Sequence, residues 1–191
     1  MAFRKWIGLF ILLYSFISCT TNKASFWEKH KANFRYTDAT EFVIDSQLEV
    51  SLASLTMTDH SSISRNEPGI AYLFSWQNRT DSNIAFTVIR DEGEHGLHMS
   101  YLVLNKRDSL ISSSQVAGLG FEGGFRYETR SRVLSADSIL RIGAISAYST
   151  SNSGPGDSTF TYLHIRKNGT VSETKFSETI RLNYDSLING E

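Results

Sequence analysis

From Glu41 to Lys167 the apolar residues fall in short runs that tend to alternate with polar ones, and every run is cut by a turn signal. "EFVID", "LEVSLASLTM", "GIAYLFSW", "NIAFTVIR", "LHMSYLVLN", "GFRYETRS", "ILRIGAISAY" and "STFTYLHIRK" carry Ile, Val, Phe, Tyr and Thr at a period near two, and "ETIRLNY" repeats the pattern near the end. Successive side chains of a strand point to opposite faces, so this period predicts strands. The separators "NRTDSN", "RDEGEHG", "NKRDS", "GFEGG", "SADS", "NSGPGDS" and "KNGT" are rich in Gly, Asn, Asp and Ser. Asn168-Gly169 in "KNGT" is the sharpest of them, because Asn-Gly readily takes the positive-φ turn of a tight hairpin. One stretch reads differently. In "SFWEKHKANF", Ser25 and Glu28 have the spacing of a capping box, which predicts a brief helix over Ser25–Phe34. The fold class that follows is all-β: an antiparallel meander of hairpins forming a sandwich or curved sheet, with one short N-terminal helix.

A faint repeat runs through the strands. Units of strand, polar turn and strand begin at Tyr72, Tyr101 and Tyr162, and "SRVLSADSIL" from Ser131 fills the gap. A propeller blade of four strands needs about 40–45 residues, so steps near thirty residues suit successive hairpins better.

The first residues read as a processing segment. Arg4 and Lys5 precede the apolar run Trp6–Ile17, which is too short to cross the roughly 30 Å of a bilayer's hydrocarbon. A positive start, a short apolar core and small residues at its end describe an export signal. That end, Phe16-Ile17-Ser18-Cys19, resembles the lipobox of bacterial lipoproteins, with Phe16 where Leu is usual. The resemblance implies cleavage before Cys19, a diacylglyceryl thioether on its sulfur and an acyl group on its new amino terminus. Cys19 is the only cysteine, so the chain forms no internal disulfide, and lipidation accounts for an odd cysteine in an exported protein. Thr20 follows it where inner-membrane lipoproteins often carry aspartate, and no acidic cluster comes next. The resemblance therefore implies the periplasmic face of an outer membrane, with the cell surface as the alternative.

Residues 1–18 then form a signal peptide, 19–25 a lipidated tether and 26–191 a single β-rich domain. Without the signal, 17 Lys and Arg face 20 Asp and Glu, a net charge of −3. No basic block stands out, which argues against nucleic acid as a partner. Only two prolines and 12% aromatics suit a folded β domain, not a disordered tail.

Several patterns carry candidate chemistry. Loop 91–98 gathers Asp91, Glu92, Glu94, His95 and His98, all able to ligate a metal; on a regular strand His95 and His98 would face opposite sides, so only an irregular loop or a helical turn unites them. "GLGFEG" (Gly118–Gly123) spells a dinucleotide fingerprint, yet the run behind it reads as a strand, where the motif's chemistry needs a helix. The recurrent Asp-Ser/Thr-apolar triplets resemble acceptors of a periplasmic O-glycosylation system, which would place sugars on Ser109, Ser138, Ser158 and Ser186; Asp-Ser is also ordinary turn chemistry. The sequons at Asn78 and Asn168 read as turns. Trp76, Phe121, Phe125, Tyr127, Tyr148, Phe160 and Tyr162 could line a ligand surface or pair across strands. The remaining histidines, His30, His60 and His164, are scattered, and no nucleophile motif appears.

Taken together these readings predict a membrane-anchored envelope lipoprotein acting as a non-catalytic binding or scaffold module. Its expected partners are the membrane, through Cys19, and another envelope protein or a glycan; no cofactor is implied. The rival expectation is a metal-dependent or hydrolytic enzyme using loop 91–98.

Overall fold

The structure, a computed structural model, describes residues 25–45, 52–59, 69–77, 83–93, 96–122, 125–147 and 157–176. The one α-helix among the described residues, α1 (Phe26–His30), starts as the sequence predicts: the Ser25 hydroxyl accepts the Glu28 N–H at 3.1 Å. A 3₁₀ turn over Lys31–Asn33 completes the helical segment. Among the described residues no helix is long and apolar enough to cross a membrane.

The described strands are β1 (Tyr36–Thr37), β2 (Glu41–Phe42), β3 (Thr56–Asp59), β4 (Ile70–Gln77), β5 (Asn83–Asp91), β6 (Leu97–Asn105), β7 (Leu110–Glu122), β8 (Phe125–Ser135), β9 (Ser138–Ala147), β10 (Asp157–Ile165) and β11 (Val171–Phe176). They join in one sheet whose main path runs β1-β4-β5-β6-β7-β8-β9-β10-β11. From β4 onward every neighbour is the next strand in sequence, and every such pair is antiparallel. This is the all-β meander of hairpins expected above. The "KNGT" turn forms as its chemistry requires, with Gly169 at φ +87° and the Asn168 Oδ1 accepting the Thr170 N–H at 3.1 Å.

Two departures from the sequence reading have local causes. "LEVSLASLTM" reads as a strand, but Leu52–Ser54 is a 3₁₀ turn and β3 begins only at Thr56. Leu52 and Leu55 are three apart, a spacing that aligns side chains on a 3₁₀ turn, and both are buried. β7 is a 13-residue strand that continues through the glycines read as a bend. The serine run Ser112–Ser114 hides its period, because Ser114 is buried as an apolar residue would be. The expected strand "ETIRLNY" lies outside the described residues.

Burial divides β4–β6 between two cores. Ala85, Ile89, Met99, Tyr101 and Val103 face the main core, while Phe86, Val88, Leu102 and Leu104 face a smaller one. The smaller core is covered by α1: Phe26 stacks on Phe86 with centroids 5.5 Å apart, Phe34 lies 5.4 Å from the same ring, and Trp27 meets Trp76 edge-on at 5.1 Å. Burial on both faces explains why "AFTVI" in β5 is buried without a break. The helix is also fastened at its start, where the Phe26 N–H donates to Asp108 Oδ2 at 2.6 Å. Asp108 sits in the β6–β7 turn at φ +57°.

The sheet curls, and the segment 36–44 straps it. β1 lies parallel to β4, the one parallel pair among the described strands, and β2 lies antiparallel to β8. The strap thus joins two strands separated in the sheet by β5, β6 and β7, and it drives Phe42 and Ile44 into the main core at 0% and 1% exposure.

At the strap the ladder between β7 and β8 is interrupted, because β2 takes the β8 edge at Ser131 and Arg132. β7 pairs with β8 only from Gly118↔Thr129 to Glu122↔Phe125. Beyond that point side chains of the second half reach the carbonyls of β7: the buried Ser131 hydroxyl donates to Val116 O, and Arg141 NH1 donates to Gln115 O at 2.8 Å. Ser131→Ala would leave the Val116 carbonyl buried and unpaired. The expected result is a loss of about 1–3 kcal/mol, read from the urea midpoint.

Candidate functional site

The curled sheet leaves a cavity of about 680 Å³ at one end. Its inner wall is Ala85 of β5 and Val103 of β6, both facing the main core and both small. The outer lip comes from two hairpin turns: Ser135, Ala136 and Asp137 between β8 and β9, and Arg166, Lys167 and Gly169 between β10 and β11. His164 and Ile165 continue the wall along β10. Polar contacts tie the β10–β11 turn to β5, to β7 and to the β8–β9 turn. Asn83 Nδ2 donates to Lys167 O at 3.0 Å, and the Ser112 hydroxyl donates to Gly169 O at 2.7 Å. Asp137 O accepts the Ile165 N–H at 2.8 Å, and its carboxylate takes the Ser135 hydroxyl at 2.6 Å. Arg166, Lys167 and His164 are exposed, and no salt bridge joins the two cations to another described residue. The volume lies within the roughly 300–1,000 Å³ of small-molecule sites, and the arrangement is that of one: apolar wall, few polar groups at the mouth.

Loop 91–98 comes together differently. Asp91 Oδ1 accepts the Gly93 N–H at 2.8 Å, so it caps the turn. Glu92 Oε2 lies 3.4 Å from His98 Nε2, and its other oxygen lies 4.0 Å from Arg90. Glu94 and His95 lie outside the described residues. Among the described residues no three His, Cys, Asp or Glu side chains are grouped to hold a metal.

His98 instead belongs to a polar cluster that crosses three strands. Gln115 Nε2 sits 3.0 Å from its Nδ1, and the Tyr127 hydroxyl sits 3.2 Å from its Nε2. With the amide donating, Nδ1 is the acceptor and Nε2 carries the proton. Gly118 makes this possible: it pairs with His98 in the ladder, and a Cβ there would lie 2.5 Å from Gln115 Nε2. The first glycine of the apparent fingerprint therefore makes room for a side-chain network inside a strand. Gly123 and Gly124 lie outside the described residues.

The aromatic residues do not share a surface. Trp76 is packed under α1, Tyr127 serves His98, and Phe121 and Phe125 stand half-exposed on β7 and β8 beside their connection. Tyr162 lies between His164 and Phe176, with centroids 6.3 and 5.3 Å away. Tyr148 lies outside the described residues. Of the serines in Asp-Ser triplets, Ser109 is exposed in the β6–β7 turn, and Ser138 and Ser158 are half-buried on strands. Ser186 lies outside the described residues, as do Cys19, His60 and Asn78. Asn168 is engaged in its own turn. His30 packs on Phe26 at 4.6 Å, and burial, then the charge of Lys29, lower its pKa.

Sequence reasoning missed the cavity. Its lining residues are individually unremarkable in type and come from β5, β6 and two separate turns. Only the Asn-Gly turn signalled that a tight, projecting hairpin would stand at that end. Comparison of the chain with models of known protein families, with curated proteins and with solved structures finds no match.

Proposed function

We propose that this chain is an envelope lipoprotein, held at the periplasmic face of an outer membrane through acyl chains on Cys19, whose β domain works as a non-catalytic binding module. The observation that carries the binding reading is the cavity between the inner wall at Ala85 and Val103 and the two hairpin turns. Its walls are small side chains and its contacts with the rest of the fold are hydrogen bonds between structural groups, an arrangement suited to holding a ligand. The anchor rests on the lipobox resemblance at Phe16-Ile17-Ser18-Cys19. One acyl chain gives only marginal binding, whereas two or three hold a protein stably at a bilayer.

Each half has its own test. Cys19→Ser is expected to move the protein from the membrane fraction to the soluble one and to abolish incorporation of a fatty-acid label. A wild-type chain that takes up no label would refute the anchor. For the binding reading, mass spectrometry under native conditions should find the purified full chain carrying a small molecule. Ala136→Trp, which places an indole at the exposed lip, should abolish that adduct while the fold survives. An adduct retained in the variant would refute the cavity as the binding site.

A further inference from the structure

We infer that the cavity takes an anionic amphiphile, an apolar tail bearing one carboxylate or phosphate, and that it opens toward the membrane. This rests on the binding reading above and adds the ligand's class and direction of entry. The tail is matched by the wall: Ala85 and Val103 are 2% exposed and Ile165 continues the apolar surface outward. The head is matched by the lip. Arg166 and Lys167 bring two permanent positive charges to the mouth. Among the described lining residues these two cations face one carboxylate, Asp137, so the mouth they form is net positive on a chain whose expected mature charge is negative. An anion at a mouth of mixed depth gains charge-assisted hydrogen bonds that a neutral head does not.

Direction follows from where the fold begins. Phe26 is fastened to Asp108 in the β6–β7 turn. That turn follows Asn105, which is paired across the ladder with Asn83, and Asn83 holds the lip through Lys167 O. The start of α1 and the mouth of the cavity therefore share one end of the sheet. The half-exposed Phe121 and Phe125 mark the other end, the length of β7 away, about 40 Å at roughly 3.3 Å per residue. A tether from Cys19 to Ser25 reaches at most about 20 Å. A chain anchored at Cys19 is thus held by its cavity end, and an amphiphile leaving the bilayer meets the mouth first.

The test uses the full chain bearing Cys19→Ser, with 11-(dansylamino)undecanoic acid and its methyl ester as fluorescent probes. The expected result is saturable binding of the acid, with the ester bound more weakly. Arg166→Glu/Lys167→Glu should weaken the acid about a hundredfold and leave the ester within twofold, since each of the two charge-assisted contacts is worth about a factor of ten. Arg166→Gln/Lys167→Gln gives the same direction without adding negative charge, and melting midpoints report whether each variant is folded. Inorganic phosphate as competitor separates the two kinds of head: displacement of the acid assigns the head site to phosphate as well as carboxylate, and no displacement assigns it to tailed acids. Equal binding of acid and ester by the parent chain, or acid binding unchanged in both folded charge variants, would overturn the inference while leaving a binding module in place. Binding of neither probe would overturn the inference and the cavity's role together.

Discussion

Phe42→Ala should lower the stability of this protein by about 3–5 kcal/mol, the range for emptying an aromatic site in a packed core. Phe42 is wholly buried, edge-on to Tyr101 with centroids 6.3 Å apart, and it belongs to the main core with Ile44. More than a ring is lost. Phe42 sits on the strap, where β2 holds β8 by only two residue pairs, Glu41↔Arg132 and Phe42↔Ser131. So short a strand is held chiefly by what it buries. The urea midpoint should fall steeply, and the slope should fall too if the strap detaches before the sheet unfolds. Glu41→Ala is the control, because Glu41 is exposed on the same strand. It should shift stability by no more than about 0.5 kcal/mol. A Phe42→Ala midpoint close to that of Glu41→Ala would show that the strap does not hold the curl.

The second large effect belongs to a residue the sequence reading passed over. Gly96 closes the β5–β6 turn at φ +109°, and a Cβ there would stand 2.2 Å from Leu119 O and 2.6 Å from the Gly120 Cα. Both are backbone atoms of β7, so relief requires moving a strand paired on both sides. Gly96→Ala is expected to cost roughly 2–6 kcal/mol, the strained conformation and the overpacking each contributing about 1–3. Gly93→Ala, three residues earlier, isolates the conformational part. Its φ is +67° and nothing lies within 4 Å of the added methyl, so about 1–2 kcal/mol is expected. Thermal midpoints of the two variants decide the matter: equal losses would mean that the approach of Gly96 to β7 carries no weight.

What the sequence made legible was local. The Ser25–Glu28 cap, the Asn-Gly turn and the alternation of β5, β6 and β10 are written within a few residues, and the fold contains them. The strap was not legible, since Phe42 meets β8 some ninety positions later and nothing in "EFVID" names that partner. β7 was obscured by the opposite problem. Ser112, Gly118 and Gly120 look like breaks, yet each stands where a neighbouring group takes the space or the hydrogen bond that a larger apolar side chain would fill. The histidine cluster shows the same limit. His98 was singled out for the company of Glu94 and His95 nearby in sequence, while the partners the fold gives it include Gln115 and Tyr127 from two later strands.

The interrupted ladder between β7 and β8 leaves a seam in the sheet. Beyond Thr129 only the side chains of Ser131 and Arg141 bind β8 and β9 to β7, while the β8 backbone turns to the strap, where it pairs with Glu41 and Phe42 and the Val133 N–H donates to Thr40 O. Solvent exchange should therefore reach the β7 side of this seam long before it reaches β5, which is covered on both faces. The cavity straddles the same division, with Ala85 and Val103 on one half and both lip turns on the other. Its width is then set by the bonds that cross the division, Asn83 to Lys167 O and Ser112 to Gly169 O. A molecule lodged there, as proposed, would work as a clasp, protecting from exchange amides that it never touches.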